Sequence, residues 1–458
     1  MRFTPYEYQE RAIRFVEDHP RCCLFLDMGL GKTVATLTAI QHLLDWCEIS
    51  RVLVIAPKKV AEATWSTEAA KWDHLTGMRV VKVMGTEKQR RTALHEDADV
   101  YVMGRDSMVW LATECKGRLP FDMVVIDELT SFKTPRSQRF KAFKLSTAQI
   151  SRIVGLTGTP APNGLVDLWA QIYCIDRGQR LGQSVTRYRD QYFTAYIWNN
   201  IPIRLTPKKG AEEEIRAKIA DICLTMQAKD YLQLPDCRVV DVPVHLSDKV
   251  MKGYRDFERE RVLELKQTVN GDEPTTILVN SAAAMMNKLS QYANGAVYDA
   301  ERNVQPIHEE KSERLAELME EANGEHLLVF YTYKHDLPRI RKVLKGYRVE
   351  TYEDEDTLKR WNAGEIDVLL AHPASCAYGL NMQFGGHYIV WYGAEWNLEL
   401  YQQANARLHR QGQKHPVTVY RLVCSGTVDE KAASALDGKK TQQQTLLDGL
   451  KELMRKYE

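Results

Sequence analysis

The chain has 458 residues, with 62 Lys and Arg against 61 Asp and Glu, so its formal net charge is only +1. A hydrophobic fraction of 44% and a charged fraction of 27% are typical of a globular protein with two or three domains, and they exclude a disordered or fibrous chain. Because the total charge is nearly balanced, any affinity for nucleic acid must come from a local basic surface.

Neither a membrane nor an oxidising compartment is indicated by the sequence. No apolar run approaches the roughly 20 residues that span a bilayer, and residues 1–5 do not begin a signal peptide. The nine cysteines include no C-x-x-C pair, which predicts reduced thiols that lie mostly in the core, no zinc site and no disulfide-linked partner. We therefore expect a cytoplasmic protein.

A glycine-rich stretch at residues 22–33 is the first functional signal. Its aliphatic residues predict the end of a buried strand, and Gly29 and Gly31 allow the backbone to curl before the next helix. The N–H groups of such a turn, together with a helix N-terminus, favour an anion. Leu26 stands where the general phosphate-binding pattern has a glycine. An ordinary glycine-rich turn between strand and helix is the alternative.

Two positions beside this turn suggest nucleotide contacts. In a P-loop, Lys32 would reach the β- and γ-phosphates and the Thr33 hydroxyl would bind Mg²⁺. Gln9 lies in a helical pattern just before the P-loop strand, and its amide both donates and accepts, as recognition of an adenine edge requires. For Gln9 alone, a solvated helix end is the alternative.

Strands alternate with helices through the first third of the chain. Aliphatic runs at residues 51–59, 79–83 and 100–103 predict strands, whereas residues 34–46 and 60–72 have helical spacing. This alternation predicts a doubly wound parallel sheet. Ligands of such a sheet bind beyond the carboxyl ends of its strands.

Residues 121–128 form a complete hydrophobic strand that ends in two carboxylates. The sheet topology would bring Asp127 and Glu128 to the same edge as the P-loop. Asp127 would hold Mg²⁺ through its water shell, and Glu128 would orient and deprotonate the attacking water. For an isolated acidic pair, a helix start with favourable dipole charge is the alternative.

A basic run and a further strand follow this acidic pair. The run indicates either a solvated face or a contact with a nucleic-acid backbone. Residues 153–157 predict a strand that ends in a small polar turn, where the hydroxyls of Thr157 and Thr159 would sense both the phosphate site and a bound strand. The basic residues of the run are Lys133, Arg136, Arg139, Lys141 and Lys144.

Three of these stretches resemble motifs I, II and III of the superfamily 2 helicase-like ATPases. They are residues 27–33, 127–128 and 156–163. The Thr-Gly-Thr-Pro sequence in the third stretch is similar to the SWI/SNF-type branch of that superfamily. Leu129 and Thr130 stand where the family usually has a small residue and a histidine.

The second half of the chain extends the resemblance. Residues 371–381 resemble motif V, with His-Pro where an arginine-containing turn is common, and residues 402–413 resemble motif VI. Arg407 and Arg410 are three residues apart, which predicts that they project from one face of a helix. A guanidinium that stabilises the transferred γ-phosphoryl group is worth about 10³ to 10⁵ in rate. Strands of this half are predicted at residues 326–331, 347–350, 367–371, 387–392 and 416–423.

The resemblance implies an α/β fold of two RecA-like doubly wound parallel-sheet lobes, with a helical insertion between them and a C-terminal helical brace. ATP and Mg²⁺ would be the cofactors, bound in the cleft between the lobes. The implied boundaries are 1–165 for the ATP-binding lobe, 166–310 for the helical protrusion and bridging region, 311–426 for the second lobe and 427–458 for the brace.

Site residues follow from the matched motifs. The expected nucleotide contacts are Gln9, Asp27, Met28, Gly29, Leu30, Gly31, Lys32, Thr33 and Gly379. Catalytic roles are expected for Lys32, Glu128, Arg407 and Arg410, and metal binding for Thr33 and Asp127. The expected nucleic-acid contacts are Lys58, Lys59, Arg105, Lys133, Arg136, Thr157 and Thr159.

The activity implied by this resemblance is ATP-driven movement along double-stranded DNA. The chain is similar to compact phage or bacterial forms without reader domains, and we expect a monomer associated with the nucleoid, or with the host cytoplasm if it is phage-encoded. A strand-separating DNA or RNA helicase is one alternative. A nucleotide-gated nucleic-acid clamp that scarcely turns over is another.

Overall fold

The described residues fall into two compact units. The first consists of Met1–Ala195 and Leu205–Leu232, and the second contains Tyr196–Arg204 and the described residues after 233. Each unit is built on its own parallel sheet. The computed structural model describes residues 1–158, 160–161, 164–198, 201–232, 234–268, 275–376 and 380–438.

Three of the sequence predictions lie outside the described residues. They concern Thr159, Gly379 and the part of the brace beyond residue 438. Within the described ranges, no helix is both long enough and apolar enough to cross a membrane.

The main sheet of the first unit has the strand order β3-β4-β2-β5-β6-β1-β9, and its neighbouring strands run parallel. Strands β7 and β8 pair separately, and a π-helical turn, Val60–Thr64, precedes α3. The elements up to residue 232 are α1 (Glu7–Asp18), β1 (Arg21–Leu26), α2 (Lys32–Asp45), β2 (Val52–Ala56), α3 (Trp65–Lys71), β3 (Val80–Val83), α4 (Glu87–His95), β4 (Val100–Gly104), α5 (Met108–Glu114), β5 (Met123–Asp127), α6 (Gln138–Ser146), β6 (Arg152–Thr157), α7 (Leu168–Asp176), α8 (Val185–Tyr192), β7 (Phe193–Trp198), β8 (Ile201–Pro207), α9 (Ala211–Ile219), β9 (Cys223–Met226) and α10 (Ala228–Tyr231).

The central strands of this sheet are hydrophobic runs because helices cover both of its faces. Every residue of β2 and β4 is buried, as expected for parallel strands inside a doubly wound sheet. The register pairs Asp127 with Leu156 and Phe25 with Thr157. The loops that follow β1, β5 and β6 therefore emerge side by side at one edge of the sheet.

The sheet of the second unit has the order β10-β17-β16-β13-β15-β14, again parallel, and β11 pairs with β12 in an antiparallel ribbon. Its two faces carry two of the buried clusters of that unit. The elements are β10 (Cys237–Val244), α11 (Asp248–Thr268), α12 (Thr275–Asn294), β11 (Ala296–Tyr298), β12 (Val304–Pro306), α13 (Glu310–Glu321), β13 (Leu327–Phe330), α14 (Asp336–Val343), β14 (Val349–Thr351), α15 (Glu355–Asn362), β15 (Val368–Ala371), α16 (Pro373–Cys376), β16 (Tyr388–Trp391), α17 (Leu398–Asn405), β17 (Val417–Cys424) and α18 (Val428–Asp437).

The predicted fold class is confirmed, since the strands that the sequence predicts in both halves lie in two parallel sheets of an α/β fold. The middle of the chain is less purely helical than predicted. β9 extends the first sheet beside β1, and β10 extends the second beside β17. In β9, the side chains of Leu224 and Met226 are buried at alternate positions. Four residues are too few for this alternation to be recognised as a strand from the sequence alone. The four-part division of the chain stays a prediction.

Candidate functional site

The loop between β1 and α2 has the curl that its glycines predict. Gly29 and Gly31 have φ values of +87° and +75°, a left-handed conformation that favours glycine. Gly31 is also the residue immediately before α2. The Gln9 amide lies against Gly31, because a Cβ placed there would overlap Nε2 of Gln9. The structure thus brings the predicted base-reading side chain to the loop.

Lys32 supplies positive charge at this loop. Its Nζ donates to the carbonyl oxygens of Leu26 at 2.6 Å and Asp27 at 3.2 Å. Thr33 follows as the second residue of α2 and is partly exposed. The Leu30 side chain is fully buried, so only its main chain can contribute to the binding of a nucleotide.

Asp27 joins the loop to the end of the first unit. Its backbone N–H donates to Met226 O at 3.1 Å, and its Oδ2 accepts from the backbone N–H of Ala228 at 2.9 Å. Its carboxylate therefore holds the start of α10, a contact that the prediction of a nucleotide-binding Asp27 did not include. Gln9 also has a second role, because its Oε1 accepts from the N–H of Tyr6 at 3.0 Å at the start of α1.

Asp127 lies at the carboxyl end of β5, partly buried. Burial raises its pKa to about 6, although a hydrogen bond from Trp65 Nε1 to Oδ2, 2.9 Å long, lowers it. The negative charge of Glu128 raises this pKa further, and the positive charge of Lys32 opposes the rise. Lys32 and Glu128 therefore both lie within electrostatic reach of Asp127, at the sheet edge where the sequence predicts them.

Glu128 turns sharply away from the strand that precedes it. Its φ of +60° is left-handed and is followed by a short 3₁₀ helix, Leu129–Phe132. Its Oε1 accepts two hydroxyl hydrogen bonds, from Thr130 Oγ1 and from Thr157 Oγ1, each 2.7 Å long. Thr157 is fully buried at the end of β6. The structure does not support the predicted nucleic-acid contact at Thr157, because its side chain faces the acidic residue and not the solvent.

Leu129, the larger residue at a position where the family usually has a small one, is accommodated by the neighbouring strand. It is fully buried, and a Cβ placed on Gly155 of β6 would lie only 2.6 Å from Leu129 Cδ2. The larger side chain of Leu129 thus occupies space that is available because Gly155 has no side chain.

The predicted nucleic-acid contacts of the first unit follow neighbouring strands at the same sheet edge. Lys58 and Lys59 come after β2 and are exposed, and Arg105 comes after β4. Ala56 pairs with Gly104, so these cations are neighbours. Lys133 and Arg136 follow the acidic pair, whereas Arg139 of the same run donates to Ser131 O and pairs with Asp106.

The arginines of motif VI do not lie on a helix, so the prediction of one shared helical face is wrong. Helix α17 ends at Asn405. Arg407 is 6% exposed, and its Nε donates to Gln403 O at 3.0 Å. Arg410 donates to Leu380 O at 2.9 Å. Beyond the helix the backbone continues in turns, with Leu408 N–H donating to Asn405 O at 3.2 Å, and it also bonds to the preceding loop, with Met382 N–H donating to Arg407 O at 3.3 Å.

Trp65 and Thr130 are site residues that the sequence reasoning missed. Each touches one of the two carboxylates, Asp127 and Glu128 respectively. Trp65 lies 62 residues before its partner, and the helical spacing around it gives no sign of that contact. Thr130 departs from the family pattern, and its position two residues after Glu128 is the signal that could have identified the contact.

The residues of the first unit fit a magnesium nucleotide. The loop offers backbone N–H groups at a helix N-terminus and an ammonium group. Asp127 offers a carboxylate whose ionisation is disfavoured by burial, and a cation would relieve that cost. A parallel α/β sheet with this loop and this acidic pair at its carboxyl edge defines the class of P-loop nucleotide-binding proteins.

Comparison with known families makes the class specific. The SNF2-related domain matches residues 8–295, and the helicase conserved C-terminal domain matches residues 310–412. The chain belongs to the SNF2-related family of superfamily 2 helicase-like ATPases.

Relatives of this chain differ widely in length. It is 35% identical to "Putative protein p41" of Acyrthosiphon pisum secondary endosymbiont phage 1, over 98% of this chain and 99% of that protein. It is 24% identical to "Uncharacterized ATP-dependent helicase MG018" of Mycoplasma genitalium and to "Putative ATP-dependent helicase/translocase YwqA" of Bacillus subtilis. These matches cover 94% and 92% of this chain but only 41% and 46% of those proteins.

The fold is also found in a solved structure. The "Hef helicase domain" of Pyrococcus furiosus is similar with a TM-score of 0.53, at 16% sequence identity, over 95% of this chain and 98% of that one. This likeness concerns the fold alone.

Proposed function

We propose that the protein is an ATP-dependent translocase that moves along double-stranded DNA without separating its strands. The observation that carries the proposal is the arrangement at the carboxyl edge of the first sheet. There the P-loop, the acidic pair and exposed cations follow neighbouring strands, and Thr157 links Glu128 to the turn after β6. A nucleotide and a polyanionic strand would thus be bound by adjacent loops of one sheet.

In the proposed hydrolysis, Lys32 and the loop N–H groups bind the phosphates of ATP, and Glu128 orients the attacking water and takes its proton. Thr33 and Asp127 would hold Mg²⁺, which when bound neutralises charge on the β- and γ-phosphates. Arg410, together with Arg407 three residues before it, would stabilise the charge of the transferred γ-phosphoryl group. Gln9 would read the adenine edge.

Double-stranded DNA is the proposed track because its phosphates are regularly spaced and can be bound by cationic side chains that do not contact the bases. Lys58, Lys59, Arg105, Lys133 and Arg136 would contact phosphates, which position a protein without specifying sequence. The Bacillus subtilis relative has "helicase/translocase" in its name, which also supports movement along nucleic acid. Repeated binding and hydrolysis of ATP would make and release these contacts alternately.

The decisive experiment compares ATP hydrolysis with duplex DNA, single-stranded DNA and RNA, using Lys32→Ala as the inactive control. We expect stimulation by duplex DNA of any sequence and a steep loss of DNA affinity with salt as counterion release weakens. With ATP, the protein should displace a third strand from a triplex and leave a forked duplex paired.

Other outcomes would redirect the assignment. Fork unwinding without triplex displacement would favour a strand-separating helicase, and stimulation by RNA alone would defeat the DNA assignment. Nucleotide-dependent binding with scarcely any turnover would instead favour a clamp.

A further inference from the structure

The carboxylate of Glu128 is held from two directions. Thr130, which lies in the short 3₁₀ helix, donates a hydrogen bond to it, and Thr157 donates another from the neighbouring strand β6. Thr130 is 3% exposed and Thr157 is fully buried. Both hydroxyls therefore act where solvent competes little for the hydrogen bonds.

The backbone conformation of Glu128 explains why these two hydrogen bonds matter. A left-handed φ at a residue with a side chain is unfavourable and persists when surrounding contacts hold it. This conformation turns Glu128 out of the strand direction of β5, so its side-chain position depends on what holds the carboxylate. A glutamate has several freely rotating bonds, and hydrogen bonds to the carboxylate remove that freedom.

We infer that Thr130 is a positioning residue for ATP hydrolysis, acting through Glu128. The inference rests on the proposed role of Glu128 as the base. Thr130 and Thr157 both donate to Oε1, so the accepting capacity of the other oxygen, Oε2, is kept for the attacking water. With Oε1 fixed at two points, Oε2 is held in one orientation, and orientation of a base toward its proton is a large part of its effect.

The residue type at position 130 matters for this role. A threonine hydroxyl has one hydrogen to donate and can direct it at Oε1. Valine has nearly the same shape without the hydroxyl, whereas serine keeps the hydroxyl without the methyl group. Comparison of the valine and serine variants at position 130 therefore separates the effect of the hydrogen bond from that of packing.

The test compares Thr130→Val, Thr130→Ser and the control Thr113→Val. Thr113 is exposed on α5, and its hydroxyl donates to Val109 O of its own helix. We expect Thr130→Val to lower kcat about 10- to 100-fold, as for loss of one hydrogen bond to a charged group, with KM changed less than about threefold. Thr130→Ser should recover most of kcat, and Thr113→Val should match the parent.

A double variant tests whether the two threonines act on one group. If both position the same oxygen, Thr130→Val combined with Thr157→Val should cost less than the product of the single effects. Thermal melting and binding of a non-hydrolysable magnesium ATP analogue should stay close to the parent for Thr130→Val. If Thr130→Val does not fold, Thr130→Ala supplies the same loss of the hydroxyl.

Glu128→Gln tests the proposed base separately from the positioning role of Thr130. Parent-like turnover in Glu128→Gln would overturn the proposed base itself. If Glu128→Gln is inactive but Thr130→Val has the kcat of Thr113→Val, only the positioning role is overturned. An effect of Thr130→Val on KM with kcat unchanged would also overturn it, because positioning of the base acts on the chemical step.

Discussion

Replacing Asp127 by asparagine should stabilise the folded protein while it impairs hydrolysis. Asp127 is partly buried at the end of β5, and burial raises its pKa from 3.8 to about 6 even though Trp65 donates to Oδ2 and lowers it. An ionised carboxylate at this position therefore opposes folding near neutral pH. Asparagine keeps an oxygen that can accept the indole N–H and removes the charge.

The magnitude follows from the difference between the two pKa values. The rise of the Asp127 pKa from 3.8 to about 6 corresponds to about 3 kcal/mol, and partial exposure of Asp127 to solvent reduces this to about 1–2 kcal/mol. Because the pKa of Asp127 is higher in the folded state, its ionisation costs no folding stability below about pH 4, and the cost is complete above about pH 6. The gain from Asp127→Asn should follow the same pH window.

Urea unfolding at pH 4, 5, 6 and 7.5, followed by far-UV circular dichroism, measures this effect. Asp122 offers a matched control, since it lies just before the same strand. Burial raises the pKa of Asp122, but hydrogen bonds from Ser50 and Arg51 outweigh burial and lower it overall.

The control should change stability in the opposite direction. A lowered pKa contributes stability that is present above the unfolded pKa and is lost as pH falls, so Asp122→Asn should destabilise at pH 7.5 and less so at pH 4. If Asp127→Asn destabilised the protein at pH 7.5 as Asp122→Asn does, burial would not be the dominant influence on Asp127 and the reasoning would be refuted.

Three further substitutions test the roles assigned at the site. Lys32→Ala should abolish ATP hydrolysis with an unchanged circular dichroism spectrum, and full turnover would remove the P-loop assignment. Glu128→Gln should bind magnesium ATP and hydrolyse it poorly in a single-turnover assay, because the amide keeps the shape and loses the base; loss of binding would point to a structural role. Arg410→Ala should lower kcat far more than nucleotide affinity, and a parent-like kcat would direct attention to Arg407.

The fold was predictable because its signals are local. Runs such as residues 51–59 and 121–128 are hydrophobic throughout, since parallel strands are covered on both faces. Glycines at positions 29 and 31 mark a turn whose φ values only glycine adopts readily. In a parallel sheet the carboxyl ends of the strands share one edge, so the approach of Lys32 to Asp127 followed from the order of the elements.

The contacts that escaped prediction are non-local. Strand β9 is recognisable only beside β1, because its four residues carry too short a pattern to distinguish it from a loop. The spacing of Arg407 and Arg410 suggested a helix, yet α17 ends at Asn405, and the segment that follows consists of turns that also bond to Leu380 and Met382. In each case the structure includes hydrogen bonds to residues that are distant along the chain, and the local sequence gives no sign of them.

The two positions that depart from the family pattern, Leu129 and Thr130, show why a motif is best understood together with the strand beside it. The larger Leu129 is accommodated because Gly155 has no side chain, and Thr130 shares its acceptor, Glu128 Oε1, with Thr157. Both compensating residues lie on β6, two positions apart and hence on the same side of the strand. The absence of a histidine after the acidic pair therefore does not by itself separate that pair from the next motif. The hydroxyl link through β6 supplies a connection between the acidic pair and the turn after β6, and it uses residues that a linear comparison of motifs treats separately.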